Sequence, residues 1–172
     1  MTCLSALEDG RAGTAGRLVN ASKGCGGVMR VAPAGLAGLP GRDPFALGGP
    51  AEVSAALAAA MSAAADGPPS TEAMCRLGEG WVAEEALAVA VYCALTAPDF
   101  RAGVLLAVNH GGDSDSTGAI CGNLLGASLG AGAIDADLLD GLEGRDVITQ
   151  VADDLYDTFA AGQEPSRHRY PG

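Results

Sequence analysis

Between Trp81 and Leu95 the chain reads WVAEEALAVAVYCAL, and this stretch decides the fold class. Glu84 and Glu85 stand where a helix macrodipole favours anions, and everything from Ala86 to Leu95 is uncharged. A helix that is apolar all the way round belongs in the middle of a core, with other helices packed about it. Upstream, AEVSAALAAAMSAAA over Ala51 to Ala65 has very high helix propensity, with Val53, Leu57 and Met61 four residues apart on one face. Gly67-Pro68-Pro69 ends that helix, and Ser70 is placed to cap a short one from Glu72 to Leu77. Downstream, Pro98 closes the apolar segment and Asp99 stands as the N-cap of a helix over Phe100 to Val108. A further helix is predicted to start near Thr117, and a last, amphipathic one spans about Gly144 to Phe159, with Val147, Ile148, Val151 and Leu155 on one face. No alternating strand pattern of convincing length intervenes, so the predicted class is all-α.

The rest is less regular. Gly10 to Gly27 reads as a long glycine-rich loop, and Val28 to Leu39 begins a helical pattern that Pro33 and Pro40 interrupt. Residues 1–160 are expected to form one domain and 161–172 a disordered tail. In the Thr117 helix, Gly118, Gly122, Gly126 and Gly130 recur every fourth residue and strip side chains from one ridge. Each costs roughly 1 kcal/mol relative to alanine, so the ridge is expected to serve close packing.

The formal charge is -11, with ten Lys and Arg against 21 Asp and Glu. Such a field repels polyanions, so sequence-independent nucleic-acid binding is not expected. Five cysteines, Cys3, Cys25, Cys75, Cys93 and Cys121, are scattered without metal-ligand spacing or a disulfide framework. They read as thiols in a reducing compartment. Glu8, Asp9 and Arg11 fall where a secretion signal would be apolar, and the uncharged run Ala119 to Ile134 is too short to span a bilayer, so a cytoplasmic protein is expected.

Chemistry concentrates in Asn109-His110-Gly111-Gly112-Asp113-Ser114-Asp115-Ser116-Thr117-Gly118. Asp113 and Asp115 sit two residues apart on a glycine hinge just before a helix, and Ser116 adds a hydroxyl. Mg²⁺ takes about six oxygens, usually from one or two carboxylates plus water and further donors. The competing reading is helix capping by Asp115 or Ser116, worth about 1 kcal/mol without any metal, and spacing alone leaves the two level. Ser22-Lys23-Gly24-Cys25-Gly26-Gly27 is a glycine-rich turn whose amides can nest an anion, with Lys23 adding a point charge for phosphate, but it lacks the Walker A order and a plain flexible turn is the commoner reading of such a stretch. His110 is a ligand or proton carrier, or orients the acidic loop by hydrogen bonding, and His168 lies in the tail.

Four blocks, SKGCGGVMRVAP (Ser22 to Pro33), LGEGWVAEEALAVAVYCAL (Leu77 to Leu95), NHGGDSDSTGAICGNLLGA (Asn109 to Ala127) and LEGRDVITQVADDL (Leu142 to Leu155), resemble in order and spacing the ADP-ribosylglycohydrolase family. The resemblance implies an orthogonal all-α bundle and a hydrolase that uses a two-magnesium centre to cleave the glycosidic bond joining ADP-ribose to a protein side chain or small acceptor. It implies Asp113, Asp115 and Ser116 as metal ligands, with Ser116 in place of the more usual threonine. It also implies the segment Ser22, Lys23, Gly24, Cys25 and Gly26 around the diphosphate of ADP-ribose, and Asn109 and His110 beside the metal loop as substrate-binding residues. Two departures accompany it. The Gly-Asp-rich opening and the Thr-Asp-Asp-Thr-type motif that completes the family's metal centre do not precede Ser22, and the Thr-His-Gly-His-Pro-type segment after Pro33 is missing. An N-terminally truncated domain with half the magnesium ligands and no assignable catalytic residue is therefore expected. The alternatives are a non-catalytic ADP-ribose or nucleotide-binding remnant, and a structural helical domain in which Asp113 and Asp115 are only a helix cap.

Overall fold

The computed structural model describes residues 22–33, 50–164, 166 and 168–170. Seven α-helices are present among them: α1 (Ala51–Ala65), α2 (Thr71–Leu77), α3 (Ala83–Thr96), α4 (Phe100–Val108), α5 (Ser114–Leu129), α6 (Ala136–Asp140) and α7 (Arg145–Phe159). Two short 3-10 helices, η1 (Val28–Arg30) and η2 (Ala131–Ala133), complete the regular structure, and no strand occurs among the described residues. The all-α class is as the sequence predicts.

Contacts divide the described chain into two units. Residues 22–30 and 50–134 belong to the first, and the helices α6 and α7 to the second. In the first unit α3 packs against each of α1, α2, α4 and α5. Its Ala86, Ala88, Val89, Ala90, Tyr92 and Cys93 are all buried, which is the fate an apolar-all-round helix requires. Tyr92 brings a hydroxyl into this core and satisfies it on the Ser70 amide, which donates at 2.9 Å. The same serine caps α2, its Oγ accepting from Ala73 N at 3.1 Å, and Asp99 caps α4 by accepting from Ala102 N at 2.8 Å. Both caps are as read from the sequence.

Two helix starts differ from expectation. The core helix begins at Ala83 rather than Trp81, because Val82 is extended and bridges Gly24, while Ala83 N donates to the Lys23 carbonyl at 2.9 Å. Helix α5 begins at Ser114, three residues before Thr117. The glycine ridge also needs correction. A methyl at Gly118 would meet Val108 Cγ1 at 2.6 Å, but at Gly122 it would only touch Val104 at 3.9 Å, and at Gly126 nothing lies within 4 Å. Gly130 is outside the helix, turning the chain with φ +80°. Gly103 of α4 is also crowded: a methyl there would collide with Leu125 of α5. Of the helical pattern expected from Val28 to Leu39, Val28–Arg30 is 3-10 helix and residues 34–39 lie outside the described ones, as do Cys3 and residues 10–21 of the long loop.

In the second unit, Gly144 at φ +70° turns the chain into α7, and Arg145 pairs with Asp140 at 3.2 Å. Helix α7 is amphipathic as predicted, with Val147 and Ile148 exposed on its apolar side. The described residues of the closing segment lie against it: Arg169 pairs with Asp154 at 3.3 Å, and the Tyr170 hydroxyl donates to the same carboxylate at 2.9 Å. Val151, Asp154, Leu155, Thr158, Phe159 and Tyr170 line an open groove of about 230 Å³. No described helix is long and apolar enough to cross a membrane.

Candidate functional site

Three stretches of the first unit converge at the N-terminus of α5. The turn Gly78-Glu79-Gly80 forms its floor. Gly78 and Gly80 have φ of +121° and +82°, and the Glu85 carboxylate ties the turn by accepting from the Glu79 and Gly80 amides, each at 3.2 Å. The acidic loop lies on this floor: Asp113 N donates to the Glu79 carbonyl at 2.7 Å, and a Cβ at Gly112 would fall on that same carbonyl. Glycine at 112 is thus demanded by close approach. Trp81 is exposed, its indole N–H donating to the Glu79 carboxylate at 3.1 Å.

Asp113 occupies the N-cap position of α5, yet its side chain makes no capping hydrogen bond. Its carboxylate turns across the site instead, where the Cys25 thiol donates to Oδ2 at 2.6 Å. Ser116, buried in the first turn, donates its hydroxyl to Cys25 Sγ at 3.2 Å and toward Met29 Sδ at 3.5 Å. Asp115 accepts from the Ser116 amide at 2.7 Å. It is close enough to Asp113 for the acidities of the two carboxylates to part. Burial raises Asp113, but its interaction with the neighbouring Asp115 and the hydrogen bond from the Cys25 thiol help to outweigh that and hold it below the usual carboxylate range. Asp115 moves up, first through the hydrogen bond with Asp113 and then through that group's negative charge. Burial and the Asp113 hydrogen bond also push the Cys25 thiol up.

Two neighbouring carboxylates and a hydroxyl are oxygen donors suited to a hard divalent cation, and mutual repulsion is what such an ion relieves. They fit part of a coordination shell. Among the described residues no group of three or more His, Cys, Asp and Glu side chains has the spacing to hold a metal.

Other residues singled out in the sequence are placed differently. Lys23 points toward Glu84 at 3.0 Å and Glu52 at 3.8 Å, and its hydrogen bond to Glu84, followed by attraction to both carboxylates, raises its pKa. These acids set a cost on phosphate at Lys23 that the sequence reading did not include. Ser22 Oγ accepts from Gly24 N at 3.3 Å, Gly24 bridges Val82, and the Gly26 carbonyl accepts from Arg30 at 3.4 Å. The Asn109 amide donates to the Leu105 carbonyl at 2.6 Å at the end of α4. His110 contacts Thr117 and Gly112 rather than either carboxylate. Thr117, fully buried, donates its hydroxyl to the Ala107 carbonyl at 2.7 Å.

Sequence reasoning missed Glu79, Gly80, Glu85, Met29 and Thr117. The signal for the turn was Gly-x-Gly directly before the core helix, a place where positive φ is common. The signal for Thr117 was a hydroxyl inside an otherwise apolar helix.

The family model for ADP-ribosylglycohydrolase matches residues 39–165. An uncharacterized protein of Archaeoglobus fulgidus is 35% identical over 82 residues, which cover 48% of this chain and 26% of that protein. The aligned part thus spans about a quarter of the relative's length. No solved structure matches. With the match running through α1 to α7 and across the acidic loop, the chain belongs to the ADP-ribosylglycohydrolase family.

Proposed function

We propose that this chain carries one half of a magnesium-dependent centre that hydrolyses the glycosidic bond between ADP-ribose and a protein side chain or small acceptor. The observation that carries the reading is the pair of neighbouring carboxylates Asp113 and Asp115 beside the buried Ser116 hydroxyl, with the Asp113 carboxylate accepting from Cys25 of the Ser22–Gly27 loop. Family membership supplies the reaction class, a glycohydrolase. Asp113, Asp115 and the Ser116 hydroxyl are the residues that would hold magnesium. The ion, when bound, supplies Lewis-acid stabilisation of charge at the sugar oxygens. Ser116 keeps its hydroxyl pinned between Cys25 and Met29, and the Glu79 carbonyl anchors the amide of Asp113, so the donors are held before any ligand arrives. The backbone of residues 22–26 borders the pair and is the segment proposed to meet the diphosphate, with its amides and not Lys23 as the main contacts.

The test is calorimetry with ADP-ribose with and without Mg²⁺, alongside release of ADP-ribose from an ADP-ribosylated protein. Magnesium-dependent heat that disappears in Asp113→Asn is expected. Heat without turnover would reduce the reading to binding alone, and a melting temperature indifferent to both Mg²⁺ and ADP-ribose would overturn it.

A further inference from the structure

The contacts of His110 determine where its proton sits. Gly112 N–H donates to Nδ1 at 3.1 Å, and a backbone amide has only a proton to give, so Nδ1 carries none. In a neutral imidazole the proton is then on Nε2. That atom lies 2.9 Å from Thr117 Oγ1, whose own hydrogen is taken by a carbonyl, Ala107 at 2.7 Å being the shortest and Asp113 and Ser114 following at 3.1 and 3.3 Å. Thr117 Oγ1 therefore accepts from Nε2–H. Every donor meets an acceptor only in this one tautomer. A second proton would set Nδ1–H against Gly112 N–H, donor to donor, at a half-buried ring whose other partner is fully buried.

The bond bears on the loop because Gly112 is the residue lying on the Glu79 carbonyl, and Asp113 follows it. The loop, the turn beneath it and the first turn of α3 also carry the carboxylates of Asp113, Asp115, Glu79 and Glu85. Of these, Asp113 is engaged by Cys25, Glu79 by Trp81, and Glu85 by the Glu79 and Gly80 amides. The hydrogen-bonding contacts of the ring are to Gly112 and Thr117.

We infer that His110 is the positioning residue of the Gly111–Asp113 turn, acting as an Nε2–H imidazole that clamps the Gly112 amide and the Thr117 hydroxyl and so holds the turn in place. This is a property of the loop and goes beyond the hydrolase reading.

Nitrogen NMR of the full chain tests it. The imidazole of His110 is expected as the Nε2–H tautomer, with the Gly112 amide protected from exchange. His110→Asn keeps an acceptor near the place of Nδ1, so Gly112 protection should largely persist. His110→Gln keeps a donor toward Thr117 but no acceptor at the place of Nδ1, so Gly112 protection should fall roughly tenfold. An Nδ1–H tautomer in the wild-type protein would overturn the inference, as would a wild-type Gly112 amide that exchanges without protection. The wild-type measurements decide the matter even where a variant fails to fold.

Discussion

The two ends of α5 carry the same kind of sequence and do different work. At its start, Gly112 and Gly118 sit where a methyl would strike the Glu79 carbonyl or Val108, and Ser116 and Thr117 are buried polar residues with every hydroxyl engaged. At its far end, Gly126 faces nothing within 4 Å and Leu124 and Leu129 are exposed. Glycine spacing in sequence is uniform, while the steric need for glycine is confined to the end that holds the acidic loop. The difference teaches that the contacts which require glycine are concentrated at the candidate site, while the far end bears glycine's backbone-entropy cost with no such contact.

The sharpest way to break this contrast is Gly112→Ala. The obstacle is backbone on both sides, so neither a rotamer change nor a small shift relieves it, and a loss of about 3 kcal/mol or more is expected in urea denaturation. A loss below about 1 kcal/mol would mean that the loop does not lie on the Glu79 turn. Next comes Thr117→Val, which keeps the shape but leaves the Ala107 carbonyl and the His110 ring without their partner. It should cost about 2 kcal/mol, and Thr117→Ser, with the hydroxyl kept, clearly less.

Most of the helices around this site were legible in the sequence, and the reasons are local. Ser70 and Asp99 cap where they stand because an N-cap needs only its own next three residues, and Ala86 to Leu95 is buried because no face of it offers a charge to water. The acidic loop was legible as a pair of carboxylates but not as a site with sulfur beside it. The Cys25–Asp113 bond joins residues 88 positions apart, and no periodicity encodes such a contact. Lys23 shows the same limit from the other side. Beside a glycine-rich turn it reads as a phosphate ligand, and only the fold brings Glu84 and Glu52 to it. The start of the core helix was misplaced for a related reason, since Trp81 and Val82 have the propensity to extend it but Val82 is drawn into a bridge with Gly24.

At the far end of α5 the expected sign reverses. Gly126→Ala adds a methyl to open space and removes glycine's backbone-entropy cost, so it should stabilise by about 1 kcal/mol in the same denaturation experiment. Destabilisation would show that another surface covers this ridge in solution, and the contrast between the two ends would then be one of partners and not of purpose.

The smallest effect belongs to Asp115→Asn, and it is read as a pH profile. Asp113 has a lowered folded-state pKa, so its contribution is present above its unfolded value and lost as pH falls through the folded one. Asp115 is raised, so its contribution is present below its unfolded value and lost as pH rises through the folded one. At neutral pH the second charge of the pair is thus a cost to folding. Asparagine removes that charge and still has an N–H to offer Asp113, so the variant should melt slightly above the wild type at pH 7 and converge with it well below the carboxylate range, near pH 3. The same variant should lose any rise in melting temperature that Mg²⁺ confers. A variant less stable at pH 7 would mean that Asp115 serves the helix start after all, through the Ser116 amide it accepts from, and the acidic loop would then return to being a structural turn.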